Sequence, residues 1–242
     1  MTYATLPILA EGARGLGIEL SEEQLGQFHR FYEVMMEWAQ KVSLTAVKDA
    51  EGVQRRHFLE SAAIIAVLRE EGLSLEGASL IDVGSGAGIP GVPLRIIEPS
   101  LSLTLVEAKA KKAGFLNEVL PQIGLDDVTV IARRAEETAH VPRHRERYDF
   151  AVAKALAPLR TLVELTLPFV RMGGVVIAPK GKETEDEVRE AKTALELLKG
   201  SVRLVEELPL SEPRQHVILI DKNLPIPPRF PRRPGMPAKR PL

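Results

Sequence analysis

Between residues 80 and 94 the chain reads Leu-Ile-Asp-Val-Gly-Ser-Gly-Ala-Gly-Ile-Pro-Gly-Val-Pro-Leu, an apolar run closed by Asp82 that opens into glycines at 84, 86, 88 and 91. Glycine tolerates positive φ and carries no Cβ, so a turn this rich in it lets a ligand lie against bare backbone. Glu107, twenty-one residues past Gly86, closes the next apolar run. A carboxylate there is acceptor-only and can take two vicinal hydroxyls at once, as on a ribose. After the third run, the amide of Ala135 and the main chain or side chain of Glu136 could reach a purine edge; Glu136 and Glu137 equally fit a solvated helix start favoured by the helix dipole. Lys154 closes the fourth run and Lys180 the fifth. Lys154 reads as a ligand contact or a surface lysine, and Lys180 ends its run at the same ligand edge.

The elements that must position these residues follow from periodicity. From Leu80 onward short apolar runs alternate with helical stretches, the pattern of a parallel sheet with helices on its faces. Strands are expected at Ser79–Val83, Ser102–Val106, Val128–Ile131, Tyr148–Ala153, Gly174–Ala178, Val202–Glu206 and His216–Asp221. Helices are expected at about Gly91–Ile97, Lys111–Ile123, Leu159–Val170 and Glu183–Leu198. No helix separates the last two strands, so they should pair antiparallel. Ahead of the sheet, Ser21 with Gln24 resembles a capping box, followed by Leu25, Phe28, Tyr32, Met35, Met36 and Ala39 at helical spacing. A second helix is expected over Val53–Leu68. The resulting division is a helical cap over residues 1–70, a sheet domain over 71–222 and a Pro-rich basic tail over 223–242.

Gly86-Ala-Gly88-Ile-Pro-Gly91 satisfies the dinucleotide pattern G-x-G-x-x-G. In a nicotinamide site, however, the first glycine follows the strand directly, and here Gly84 holds that place. Registered from the strand end, Asp82-x-Gly84-x-Gly86-x-Gly88 resembles motif I of S-adenosylmethionine methyltransferases. That cofactor has no pyrophosphate, so it needs close backbone contact and no phosphate cradle.

The 242 residues are 45% hydrophobic, enough for a substantial core, and carry a net charge of -1. Such a balance argues against coating nucleic acid with the whole surface, so a polyanion must meet a local patch. Candidate patches are Arg55-Arg56-His57, Lys109 to Lys112, Arg133-Arg134, Arg143 to Arg147, and the stretch from Lys222 to Leu242, which holds six Lys or Arg and no acid. That tail reads either as a phosphate contact or as a solvated Pro-rich segment; His57 likewise reads as an RNA contact or as a structural histidine. With no cysteine and five scattered histidines, no metal site is expected. No apolar run is long enough to span a bilayer, and Met1 to Pro7 lack the charged start and apolar centre of a signal peptide, so a cytoplasmic protein is expected.

Several segments together resemble the small-subunit ribosomal RNA methyltransferase G family, also called glucose-inhibited division protein B. They are Asp82 to Leu94, Phe115-Leu-Asn-Glu-Val119, Arg134-Ala-Glu-Glu137, Leu167 to Gly174 with Lys180-Gly181, and the tail from Phe230 to Leu242. The resemblance implies a Rossmann-like class I S-adenosylmethionine-dependent methyltransferase: an α/β fold with a seven-stranded, mostly parallel sheet, helices on both faces and an N-terminal helical cap. It implies methyl transfer from S-adenosylmethionine to N7 of a guanine in the helix-18 loop of 16S rRNA, on the rRNA or the small subunit, by a metal-free monomer. The cofactor residues it implies are Gly84, Gly86, Ile89, Glu107, Ala108, Lys109, Ala135, Glu136 and Lys154. Residues assigned to RNA are Arg55, Arg56, His57, Lys180, Arg232 and Arg233. The family usually has Asp-Ser at Glu107-Ala108, Arg at Lys154, Asp at Glu60 and Asn near Ser43. Glu107 keeps a two-oxygen acceptor, whereas Lys154 keeps charge without the planar fork.

Guanine N7 carries a lone pair and no proton, so no general base is required and no catalytic residue is named. Orientation of the two reactants would supply the catalysis. The competing classes are a nicotinamide-dependent oxidoreductase, opposed by the position of Gly84, and an RNA-binding module without catalysis, opposed by the intact motif. Removal of residues 229–242 is expected to lower RNA methylation with cofactor binding intact.

Overall fold

The chain, seen in a computed structural model that describes residues 6–47, 49–181 and 184–242, begins with α1 (Pro7–Gly15), which the sequence reading did not include. Helix α2 (Glu22–Ala39) starts where its capping box predicts: Ser21 Oγ accepts the Gln24 amide at 3.2 Å and Gln24 Oε1 accepts the Ser21 amide at 2.8 Å. The expected second helix is broken into α3 (Ala50–Val53), a π-helical turn (Gln54–Leu59) and α4 (Glu60–Glu70). Phe31 sits between Phe58 of that turn and Phe115, at centroid distances of 5.9 and 6.4 Å, so these aromatics belong to the core. Trp38 packs edge-on against Phe115 and donates its indole N–H to Glu118.

The sheet follows: β1 (Ser79–Val83), α5 (Gly91–Ile97), β2 (Ser102–Val106), α6 (Ala110–Gln122), β3 (Thr129–Ile131), α7 (Ala135–Thr138), β4 (Tyr148–Val152), α8 (Leu159–Thr166) and β5 (Val170–Lys180). It continues through α9 (Thr184–Glu190), α10 (Lys192–Leu197), β6 (Gly200–Glu207) and β7 (His216–Lys222), and the chain closes with α11 (Met236–Lys239). The expected single helix over 183–198 is thus two, with Glu183 outside the described residues. The helix expected to reach Val170 stops at Thr166, because Pro168 has no amide to continue it, and a 3-10 turn leads into a longer β5.

Strand order is β3-β2-β1-β4-β5-β7-β6, with β1 to β5 parallel and β7 inserted antiparallel between β5 and β6. Alternation along each strand fills both faces. Leu80, Leu105 and Val152 point into the core under α2, α4 and α6, whereas Ile81, Val106 and Ala151 point into the core under α8 and α10. The order reverses between β1 and β4, so the connections that leave their paired carboxyl ends run in opposite directions and open a crevice there, and the glycine turn leaves β1 at that point. Among the described residues no helix is long and apolar enough to cross a membrane.

Candidate active site and cofactor cavity

A cavity of about 400 Å³ lies at the carboxyl ends of β1, β2 and β4. Its floor is the glycine turn. Gly84 has φ 73°, and a Cβ there would stand 2.5 Å from Leu156 Cδ1, so both backbone conformation and space demand glycine. Across the cavity, Glu107 is buried and held at both oxygens: Oε2 accepts the Gly86 amide at 2.9 Å and Oε1 accepts the Lys109 amide at 2.7 Å. Each oxygen keeps a second lone pair, so the carboxylate is oriented in advance and can still take two hydroxyls. A ribose diol facing an aimed carboxylate beside bare backbone is a chemically matched pair.

Asp82, beneath the turn, is completely buried. Its Oδ2 accepts the Gly91 amide at 2.9 Å and its Oδ1 has no partner among the described residues. Burial raises its pKa to about 7, opposed by the Gly91 hydrogen bond and assisted by the charge of Glu107. In the unfolded chain Asp82 ionises near pH 4, so its stabilising effect is complete below that pH and is lost as pH rises toward 7. The stability of Asp82→Asn relative to the parent should therefore improve between about pH 4 and pH 7, by a few kcal/mol, and level off above pH 8. Thermal melts of the two proteins across that range measure it. A constant difference would show that Asp82 ionises normally.

Gly84, Gly86, Glu107, Ala108, Lys109, Ala135 and Glu136 all line this cavity. Ile89 and Lys154 do not; they line a second cavity of about 280 Å³ on the other side of the turn, which shares Gly84, Gly86, Lys112 and Ala155 with the first. Motif spacing places a residue near the turn and leaves open which side it faces. The carboxylate of Glu136 is also committed elsewhere, since its Oε1 accepts the Gly235 amide at 2.8 Å.

That contact belongs to a wall the sequence reading missed. Gly235, Pro237 and Ala238 of the tail line the first cavity. The tail is anchored by Arg232, whose side chain grips the fully buried Glu164 at 2.6 to 3.2 Å while its amide donates to the same carboxylate at 2.8 Å. Phe230 is buried, and Arg229 lies 4.9 Å over its ring. The Pro-rich tail is packed structure, and the expectation that its removal would spare cofactor binding is replaced by the opposite one. No spacing signal links residues 232 and 164; only the absence of acids near the tail hinted that its cations look elsewhere.

The residues assigned to RNA divide in the same way. Arg55 pairs with Glu51 at 2.9 Å, and Lys180 pairs with Glu187 and donates to Ala157 O, both at 2.7 Å. Their charges are compensated within the fold, as is that of Arg232. Arg56 and Arg233 are exposed. His57 is uncharged: its Nδ1 lies 3.0 Å from Arg56 O and its Nε2 2.7 Å from Thr45 Oγ1. A carbonyl only accepts, so Nδ1 carries the proton and Nε2 accepts from the hydroxyl. Burial, with Lys154 nearby, lowers its pKa to about 4. A neutral, doubly bonded ring is a structural histidine.

Four cations line the cavity mouth instead: Lys109, Lys112, Arg133 and Arg134. Among the described residues no group of three or more His, Cys, Asp or Glu side chains is arranged to hold a metal ion.

The architecture is a Rossmann-like class I methyltransferase fold. Ribosomal protein L11 methylase from Lactobacillus delbrueckii subsp. bulgaricus shares it at TM-score 0.52 and 17% identity, over 70% of this chain and 79% of that one. A family model described as rRNA small subunit methyltransferase G matches residues 24–218. Ribosomal RNA small subunit methyltransferase G of Acetivibrio thermocellus is 42% identical over 97% of this chain and 96% of that protein. Its counterpart from a Roseiflexus species is 44% identical over 98% of this chain and all of that protein. The chain belongs to the rRNA small subunit methyltransferase G family.

Proposed function

We propose that this protein transfers a methyl group from S-adenosylmethionine to N7 of a guanine in the helix-18 loop of 16S rRNA. The observation that carries the donor is Glu107, fixed by two backbone amides across a glycine turn that a Cβ would obstruct. Bound there, the sulfonium supplies an electrophilic methyl group and leaves as a neutral thioether. The chain's own residues bind, orient and exclude water: Glu107 takes the ribose, Gly84 and Gly86 admit close backbone contact, and the tail closes one side. N7 loses no proton on methylation, which suits a site where His57, in the lining of the adjoining cavity, already accepts a hydrogen bond from Thr45. Guanine and its place in helix 18 rest on the family resemblance set out above.

A cationic sulfonium gains nothing from four cations at the cavity mouth, whereas a polyanion does. Replacing Arg133 and Arg134 with Gln should weaken RNA binding and lower the slope of log K against log salt by about 0.7 per residue. Filter binding over a salt series reads this out. The function itself is tested by thermal shift with S-adenosylhomocysteine and NADH, and by methyl transfer to small-subunit particles, naked 16S rRNA and tRNA. Stabilisation by NADH alone would sink the donor reading, and label confined to tRNA would sink the acceptor.

A further inference from the structure

A third cavity, of about 350 Å³, opens between the carboxyl ends of β4 and β5 and shares the strip Ala155-Leu156-Ala157 with the first. Ala155 has φ 53°, a costly conformation for a residue with a Cβ, held at the junction of all three cavities. Two ion pairs line the space. Lys180 and the Leu159 amide both bond Glu187 Oε2, at 2.7 and 2.6 Å, and Lys180 also bonds Ala157 O, so this pair staples the strip in place. The other pair keeps capacity for a ligand: Lys154 Nζ donates to Glu60 Oε2 at 2.6 Å and to Arg56 O at 2.8 Å, which uses two of its three protons, and Oε1 of the buried Glu60 takes no hydrogen bond from the described residues.

Resting on the methyltransferase reading above, we propose that this cavity receives the acceptor base and that the Glu60–Lys154 pair selects guanine by its Watson–Crick edge. A guanine presents O6 as acceptor beside N1–H and N2–H as donors. An ammonium next to a carboxylate is the complementary row: Lys154 donates to O6, and Glu60 accepts from N1–H and N2–H. Adenine offers an amino donor to the ammonium and a bare N1 to the carboxylate, so it is rejected on both counts. Reading that edge leaves N7, on the imidazole side of the base, free to face the strip shared with the cofactor cavity.

The test uses full-length protein and small-subunit particles reconstituted with 16S rRNA that carries either guanine or inosine at the position methylated in the guanine form. Inosine keeps O6 and N1–H and lacks only the N2 amine. The parent protein should methylate the inosine form with kcat/KM at least about tenfold lower. Glu60→Gln should lower kcat/KM on the guanine form by about 100-fold and bring the guanine-to-inosine ratio within threefold of unity. Equal rates on both RNAs with the parent protein would overturn the proposal, as would a Glu60→Gln protein that keeps the parent's ratio, which would make Glu60 a mere holder of Lys154. If Glu60→Gln fails to bind S-adenosylhomocysteine, Glu60→Asp, which keeps the charge for Lys154 but withdraws it by one methylene, carries the same ratio test. No methylation of the guanine form by the parent protein would instead overturn the function proposed above.

Discussion

Arg232→Ala should lower the thermal midpoint by about 10 °C and abolish measurable binding of S-adenosylhomocysteine. The residue bonds both oxygens of Glu164, which has no exposed surface. Truncation leaves a buried carboxylate without its counter-charge, an effect of about 3–5 kcal/mol that corresponds to some 2–4 °C each in a chain of this size. The consequence for the ligand follows from geometry. Once Arg232 lets go, Gly235, Pro237 and Ala238 no longer have a reason to stand against the cavity, and Glu136 loses the Gly235 amide. Glu164→Gln is the informative partner. It removes the charge and the anchor together, so the double variant should be less destabilised than the sum of the two single changes. Calorimetry of cofactor binding, alongside thermal melts, measures both. A variant that melts earlier yet binds the ligand at parental strength would show that the tail is only a buttress.

Glu107→Ala should weaken S-adenosylhomocysteine binding by about 100-fold or more while the protein stays folded. Two charge-assisted hydrogen bonds to ribose hydroxyls are lost, each worth about 1.5–3 kcal/mol, and every 1.4 kcal/mol is tenfold in affinity. The Gly86 and Lys109 amides also lose their common acceptor, so the glycine turn relaxes. Glu107→Gln is expected to fall little short of alanine. Its amide nitrogen must face one of those two backbone N–H groups, donor against donor. Titration calorimetry of the three proteins gives the ranking, with thermal midpoints as the folding control. Binding by the glutamine variant at parental affinity would remove Glu107 from the ribose and require another acceptor in the cavity.

These two residues mark how far the sequence could be read. Glu107 was legible because β1, the turn and β2 are consecutive, and a parallel pair places equivalent strand ends side by side. The capping box at Ser21 and Gln24 was legible for the same reason: both partners lie within one turn of helix. Arg232 was misread as a phosphate contact because its partner lies 68 residues away, and Lys154 meets Glu60 across 94. A count of charges along a chain says nothing of which are neutralised in space. Helix α1 was missed for a different cause, since it has no side-chain cap and its short apolar stripe is confirmed only by burial of Leu9 and Ala13 against the cap.

The amino-acid order alone determined the sheet, its parallel sense and the glycine turn, because hydrophobic period, glycine stereochemistry and short connections act between near neighbours. Tertiary structure decided which cations face solvent, that the tail is a wall of the cavity beside the glycine turn, and which side of that turn Ile89 and Lys154 occupy. Those outcomes depend on the low-dielectric interior, where a buried carboxylate such as Glu164 or Glu60 must find a cation wherever the fold supplies one.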